Sequence, residues 1–362
     1  MMSNTLFNLQ PVLHLLLTAL VLAVVPLSWI WLRHAHTSVS QRIHLLTLLT
    51  LFLTFDLVLF GSFTRLTDSG LGCPDWPGCY GFASPLGAHS DIAQAQIQMP
   101  TGPVTHTKAW IEMVHRYLAM TVGGLILTLA VFAWVRRFKG DKQSQVLWPS
   151  VTLLWVCVQG AFGALTVTMK LFPLIVSLHL MGGITLLGLL FVQSKQSHPR
   201  LMPPAARIKV VVGLALLVIQ IFLGAWVSTN YAVLACDTFP LCQNTLWPQM
   251  DFAQALALWR PLGMTADGQV LSFQALTAIH MLHRMFAMLV FVYLTYLAWQ
   301  VCKPTQPLQA SARRYGRWLA ALLLLQVVTG VSNVVLGWPL FAAVLHTGGA
   351  AALCVVLIGL LL

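Results

Sequence analysis

Glu112-Met-Val-His115-Arg116 and His280-Met-Leu-His283-Arg284 are two versions of one motif, and each follows a short cysteine loop. The loops are Cys73-Pro-Asp-Trp-Pro77-Gly-Cys79 and Cys236-Asp-Thr-Phe-Pro240-Leu-Cys242, both of the form C-x3-P-x-C, 163 residues apart. Gly61 and Gly224, in the apolar stretches before the loops, keep that offset, while the histidine motifs stand 168 apart, a five-residue insertion in the second loop. Further on, Gln159 with Gln326, Gly163 with Gly330 and His179 with His346 share an offset of 167. Common offsets across three apolar stretches and a loop define an internal repeat. The copies cover about 43–193 and 210–362, are joined by a linker at 194–209, and follow an extra segment at 1–42.

The rest of the chain says what each copy is made of. It is 58% hydrophobic and 8% charged with a mean hydropathy of +0.81, far from the roughly 25% charged residues of soluble domains. A helix needs about 20 apolar residues to cross the hydrocarbon core. Runs of that kind lie near 12–33, 43–64, 110–135, 146–169, 173–193, 210–229, 277–301, 317–337 and 339–362. The sequence therefore predicts an all-α membrane protein: two parallel-repeat four-helix bundles plus one extra N-terminal transmembrane helix.

A net charge of +11 would suggest nucleic acid in a soluble chain, but here the position of the cations decides. Arg33, Arg42, Arg136, Arg137, Lys139, Lys142, Lys195, Arg200, Arg207, Lys209, Lys303, Arg313, Arg314 and Arg317 make fourteen of the twenty Lys and Arg. All fall on one side if the runs alternate, the side read as cytoplasmic, and no nucleic acid is implied. The long loops near 65–109 and 230–276 then face outward. The first run has no Lys or Arg before it and no small-residue cleavage site after it, so it reads as a retained helix with an outer N-terminus. Gly123-Gly124 and Gly182-Gly183 read as close helix contacts rather than ligand loops.

Ionisable residues inside spans are costly and mark candidate sites. Each copy has a histidine near the outer start of its second helix and another near the outer start of its fourth: His115 and His179, then His283 and His346. These helices run in the same direction, so both imidazoles of a pair lie at similar depth. Two imidazoles facing each other in a bundle suit axial ligation of a haem iron. Structural, hydrogen-bonded histidines are the plainer reading. Zinc fits less well, because nothing supplies three or four clustered N and S ligands. Arg116 and Arg284, beside the ligand histidines, point either to haem propionates or to interfacial snorkelling. His280 replaces Glu112 in the second copy, and each lies one turn from its histidine. A carboxylate with no partner in its own motif points to chemistry in the first copy and electron transfer in the second.

The remaining polar groups divide less clearly. His34, His36, His44, His89, His106 and His198 read as surface residues, and His14 lies in the first run. Asp56, whose repeat position holds Ile219, is expected to pair with a neighbouring helix. Cys157, Cys302 and Cys354 read as packing residues. Cys73–Cys79 and Cys236–Cys242 read as outward-facing disulfides, either clamps or exchangeable redox pairs. Neither is a C-x-x-C-H motif, so haem would be held noncovalently. From these residues alone a di-haem b membrane electron-transfer cytochrome, such as a quinol-linked reductase, ranks level with a haem-modifying enzyme. Against the former, all four histidines lie near the outer face. A parallel-repeat transporter would carry polar residues near the midplane, a pattern not seen here.

The sequence resembles the haem A synthases of aerobic bacteria and mitochondria from about residue 43 onward. The resemblance rests on Thr64-Arg65-Leu-Thr-Asp-Ser-Gly-Leu-Gly-Cys73-Pro-Asp-Trp-Pro-Gly-Cys79, on Glu112-Met-Val-His115-Arg116, and on His179, His283 and His346. It implies a multi-pass protein of the bacterial inner membrane with its haem sites near the outer face. His115 and His179 would hold the substrate haem O, and His283 and His346 a haem b cofactor. Glu112 would act in oxidising the C8 methyl to an alcohol and then to the formyl group of haem A. Arg65, Arg116, Arg284 and His280 would be propionate or accessory residues. Electrons would pass through the second haem, with the first cysteine pair assisting. Membrane lipid, a haem O synthase and a second copy of the chain are compatible partners, and the sequence does not identify the electron donor. The extra helix departs from the family's usual eight spans, and many members lack the cysteines.

Overall fold

The computed structural model describes residues 10–195, 203–303 and 310–362. His198 and Arg200 of the expected linker, and the side chain of His14, lie outside the described residues. The chain is helical: α1 (Gln10–Arg33), α2 (Val39–Leu66), α3 (His89–Gln98), α4 (His106–Phe138), α5 (Leu147–Thr168), α6 (Pro173–Lys195), α7 (Pro204–Thr229), α8 (Phe252–Ala255), α9 (Phe273–Cys302), α10 (Ala310–Val335) and α11 (Leu340–Leu361). Among the described residues eight helices are long and apolar enough to cross a membrane: α2, α4, α5, α6, α7, α9, α10 and α11. The ninth expected run is helix α1, whose stretch Leu20–Arg33 is a shorter apolar helix.

Helix starts follow from side chains that satisfy the first free amides. Ser38 and Gln41 form a reciprocal capping box before α2, Thr105 accepts from Lys108 N at 3.2 Å before α4, and Ser272 accepts from Ala275 N at 3.2 Å before α9. Arg33, Arg136, Arg137 and Lys195 close the last turns of α1, α4 and α6, where the helix dipole favours cations. Polar side chains inside the spans bond to their own helix: Thr47, Thr50 and Thr54 each donate to the carbonyl four residues back. Phe52, Leu154, Met288, Val292 and Leu324 stand exposed, as a lipid-facing surface requires.

The chain forms two compact units, residues 1–171 and 172–362. In the first, α4 packs against α1, α2 and α5, and α1 also touches α2. Ala23, Ile30, Leu46, Leu125 and Leu129 form this core. A Cβ on Gly124 would lie 3.6 Å from Ala23, an ordinary van der Waals contact, and one on Gly123 would meet nothing within 4 Å. Trp31 of α1 stacks on Phe132 of α4 at 5.2 Å. Asp56 makes no hydrogen bond or ion pair among the described residues, unlike the pairing expected of it.

In the second unit α7 packs on α9, α9 on α10, α10 on α11 and α11 on α7. That closes a four-helix ring and sets α9 and α11 across its diagonal. Helix α6 lies outside the ring against α7 and α11, with Ser177 and Thr229 hydroxyls 3.2 Å apart. The segment between α7 and α9 folds over one end of the ring: Trp226, Val227, Ala232, Val233, Ala255, Ala278 and Ile279 form one buried cluster.

Candidate functional site

In the first unit, the cysteine loop and the start of α4 build one knot. Cys73 and Cys79 are joined, as are Cys236 and Cys242 in the second unit, so both expected disulfides form. Gly72 lies so close to α4 that a Cβ there would sit 2.4 Å from the Lys108 carbonyl carbon and 2.5 Å from Ala109 N. This approach brings Cys73 N to donate to Glu112 Oε2 at 2.8 Å. Glu112 Oε1 pairs with Arg116 at i+4. The expectation that the carboxylate has no partner in its own motif is therefore wrong. The spacing i, i+4 places the two on one face, and both are buried.

The other arm of Arg116 reaches into the disulfide loop. Its Nη1 donates to Asp75 O at 3.0 Å, to Pro77 O at 3.2 Å and to Gly78 O. The Asp75 carboxylate accepts from Tyr80 N at 2.6 Å and Gly81 N at 2.7 Å. Burial, with the carboxylates of Asp75 and Asp91, holds the Tyr80 hydroxyl above its usual pKa. Tyr117 donates to Ala83 O at 2.6 Å, so α4 grips the loop at a second place. Arg65 pairs with Asp68 at 3.2 Å.

The second unit repeats the grip. Arg284 Nη1 donates to Thr238 O at 3.0 Å and Leu241 O at 2.9 Å, the repeat positions of Asp75 and Gly78, and Nη2 donates to Cys236 O at 3.3 Å. His280, in Glu112's place, accepts from Arg284 Nε at 3.2 Å and lies 3.1 Å from Ala232 O through Nδ1. Both arginines thus hold loops, an accessory role that uses most of their donors. Arg260, unremarked in the sequence, is fully buried against Asn230 Oδ1 at 2.7 Å and the Trp226 ring at 5.4 Å, and burial lowers its pKa.

Three of the four histidines share one environment, a glycine on the neighbouring helix. A Cβ on Gly61 would lie 3.0 Å from His115 Cε1, one on Gly224 3.0 Å from His283 Cε1, and one on Gly330 3.2 Å from His346 Cε1. Gly163 holds the repeat position of Gly330 in the first copy. The repeated glycines exist because imidazole edges occupy the space a methyl would fill. His283 and His346 sit on the diagonal helices α9 and α11, the placement needed for two ligands on opposite faces of a flat macrocycle. His115 stacks on Phe60 at 6.2 Å. Nδ1 of His179 is buried without a hydrogen-bond partner. His115 lies in the first compact unit and His179 in the second.

Among the described residues no group of three or more His, Cys, Asp or Glu side chains gathers as a metal cluster. His89 and His106, the first residues of α3 and α4, face each other at 4.4 Å. Cys157 is exposed, Cys302 half-buried and Cys354 buried. Sequence reasoning missed Gln220 and Thr329, which touch His283 and His346 respectively. Each is a polar residue in an apolar run that the other copy lacks, and that asymmetry was the available signal.

The family model COX15-CtaA, described as cytochrome oxidase assembly protein, matches residues 44–358. A protein of Shewanella oneidensis named heme A synthase is 37% identical over 320 residues, 86% of this chain and 93% of that one. A heme A synthase of Allorhizobium ampelinum is 27% identical, covering 84% of this chain and 85% of its own. One of Methylobacterium radiotolerans is 29% identical, covering 81% and 82%.

Proposed function

We propose that this chain, which belongs to the COX15-CtaA family of cytochrome oxidase assembly proteins, is a haem A synthase, a multi-pass enzyme of a bacterial plasma membrane with its haem sites near the outer face. The names of the relatives favour this over the di-haem electron-transfer cytochrome. The reaction is oxidation of the C8 methyl of haem O, through the alcohol, to the formyl group of haem A. A haem O synthase supplies the substrate.

In this reading His115 and His179, which the repeat pairs, ligate the substrate haem O, and His283 and His346 ligate a resident haem b. The glycine seats beside His283 and His346, the diagonal placement of α9 and α11, and the unpartnered Nδ1 of His179 all fit that assignment. When bound, the second haem supplies a one-electron redox centre. The first half supplies the acid–base group. Glu112 lies at i−3 from His115, and the Cys73 amide and Arg116 hold it in one orientation. From there the carboxylate takes up a proton as the methyl is oxidised or stabilises positive charge developing beside it. The disulfide loop, closed over α4 by Arg116 and Tyr117, excludes water from that position. Arg65, Arg116 and Arg284 are, in this reading, the propionate or accessory residues.

The observation that carries this reading is an asymmetry inside a repeat. Both copies keep the loop, the arginine grip and the histidine, but only the first has a carboxylate at the adjoining turn. The test is the full chain with Glu112→Gln, expressed with haem O and analysed by acid-acetone extraction and chromatography. The expected result is haem O and haem b bound at normal levels without haem A. Normal haem A would remove Glu112 from the mechanism, and wild-type protein holding haem b alone despite a haem O supply would restore the electron-transfer cytochrome.

A further inference from the structure

The two copies differ at a second pair of positions, behind the histidines rather than beside them. In α10, Thr329 Oγ1 donates to Leu325 O at 2.7 Å and lies 2.9 Å from His346 Nδ1. A hydroxyl has one proton, and a carbonyl only accepts. With its proton spent on Leu325, the Thr329 oxygen accepts from His346, so Nδ1 carries the ring proton and Nε2 keeps its lone pair. Gln326, one turn away, donates to His346 O at 3.0 Å and holds the backbone of the same residue.

In α7, the Gln220 amide lies 3.0 Å from His283 Nδ1, with a longer 3.4 Å approach to Nε2. Its Oε1 is buried and has no partner. Its nitrogen also donates to His283 O at 3.3 Å, so Gln220 holds the His283 backbone as Gln326 holds that of His346. Thr329 thus supplies an oxygen placed to fix the tautomer of His346 that leaves Nε2 open.

At the repeat offset of 167 the counterpart of Thr329 is Phe162, whose side chain carries no hydrogen-bonding atom. His179, whose repeat partner is His346, has its Nδ1 buried and unpartnered.

We infer that Thr329 is a positioning residue that makes His346 a stronger donor to a haem iron than its repeat partner His179, whose Nδ1 has no hydrogen-bond partner. An oxygen accepting from Nδ1–H fixes ring orientation and raises ligand basicity. A more basic imidazole favours ferric over ferrous iron and slows loss of the group. The second copy is thereby built to retain its haem at a lower potential, and the first for a haem that enters and leaves. This rests on the haem-binding part of the proposed function, but not on the methyl oxidation.

The test uses the full chain purified with haem b in the second unit, as wild type, Thr329→Val and Thr329→Ser. Valine keeps the side-chain shape without the oxygen, and serine keeps the oxygen. Outer-sphere partners of this kind are worth roughly tenfold to a hundredfold in metal affinity. A tenfold loss confined to the ferric state corresponds to about 59 mV for a one-electron couple. Optical redox titration should show the Thr329→Val midpoint raised by about that amount and haem transfer to apomyoglobin accelerated about tenfold, with Thr329→Ser near wild type on both. A folded Thr329→Val protein with unchanged midpoint and unchanged haem loss overturns the inference. Equal shifts in the serine and valine variants also overturn it, because they would reflect packing alone. If wild type binds haem b and the midpoint shifts as expected but no haem A forms, the proposed reaction fails while the positioning role stands.

Discussion

Replacing Gly72 by alanine would place a methyl carbon 2.4 Å from the Lys108 carbonyl carbon and 2.5 Å from Ala109 N, both backbone atoms of α4 that cannot rotate away. To reach even the 3.0–3.4 Å of tight contacts, the loop must withdraw by about 0.6–1 Å. The adjoining Cys73 N then moves from 2.8 Å to roughly 3.4–3.8 Å from Glu112 Oε2, at or beyond the limit of a hydrogen bond. A bond to a charged acceptor contributes roughly 1.5–3 kcal/mol, and its loss leaves Glu112 held by Arg116 alone. At about 1.4 kcal/mol per factor of ten, haem A formation should fall about tenfold to a hundredfold if that orientation is used in the reaction. The assay is haem A yield per mole of protein in membranes supplied with haem O, with haem b content measured in parallel. Haem b should stay near normal, because the second unit is untouched. Full haem A yield from a folded Gly72→Ala protein would refute the claim that this close approach sets the position of Glu112.

Two further substitutions probe the loops and the imidazole seats. Arg116→Lys replaces a fork that reaches Glu112 and three carbonyls with a single ammonium. The Cys73–Cys79 bond should then be reduced several-fold faster by dithiothreitol, measured by trapping the thiols, while Cys236–Cys242 keeps its rate. Gly224→Ala puts a Cβ 3.0 Å from His283 Cε1, so the ring must shift by a few tenths of an ångström. Haem b content should drop and its absorption band change, whereas Gly61→Ala, with the same 3.0 Å clearance at His115, should leave haem b unaltered and lower retention of haem O.

Much of this architecture was legible in the residues. Long apolar runs report spans because lipid leaves the backbone no other way to satisfy itself, and eight of the nine expected runs meet the length and hydropathy of a span among the described residues. The disulfides followed from two cysteine pairs at one spacing, and the equal offsets of Gly61 and Gly224 pointed to a shared need that proved to be room for an imidazole. What stayed hidden involves partners without side-chain signatures. Arg116 and Arg284 bind main-chain carbonyls, which every residue possesses, so the sequence suggested propionates or lipid headgroups instead. The Glu112–Arg116 pair was hidden in plain spacing, since i, i+4 permits the contact without requiring it. Gln220 and Thr329 were obscured for a different reason. Threonines such as Thr50 and Thr54 commonly bond to their own helix, and only the tertiary fold shows which hydroxyl oxygen also meets a ring.

Each seven-residue loop is fastened twice, once by sulfur and once by a guanidinium that gathers its carbonyls. The second fastening needs no oxidant. A newly inserted chain can therefore bring its thiols side by side before any oxidising partner arrives, and the covalent bond then records a shape already chosen. Sulfur and arginine here are redundant in the engineer's sense, so that removing one leaves the other to hold the loop against its helix.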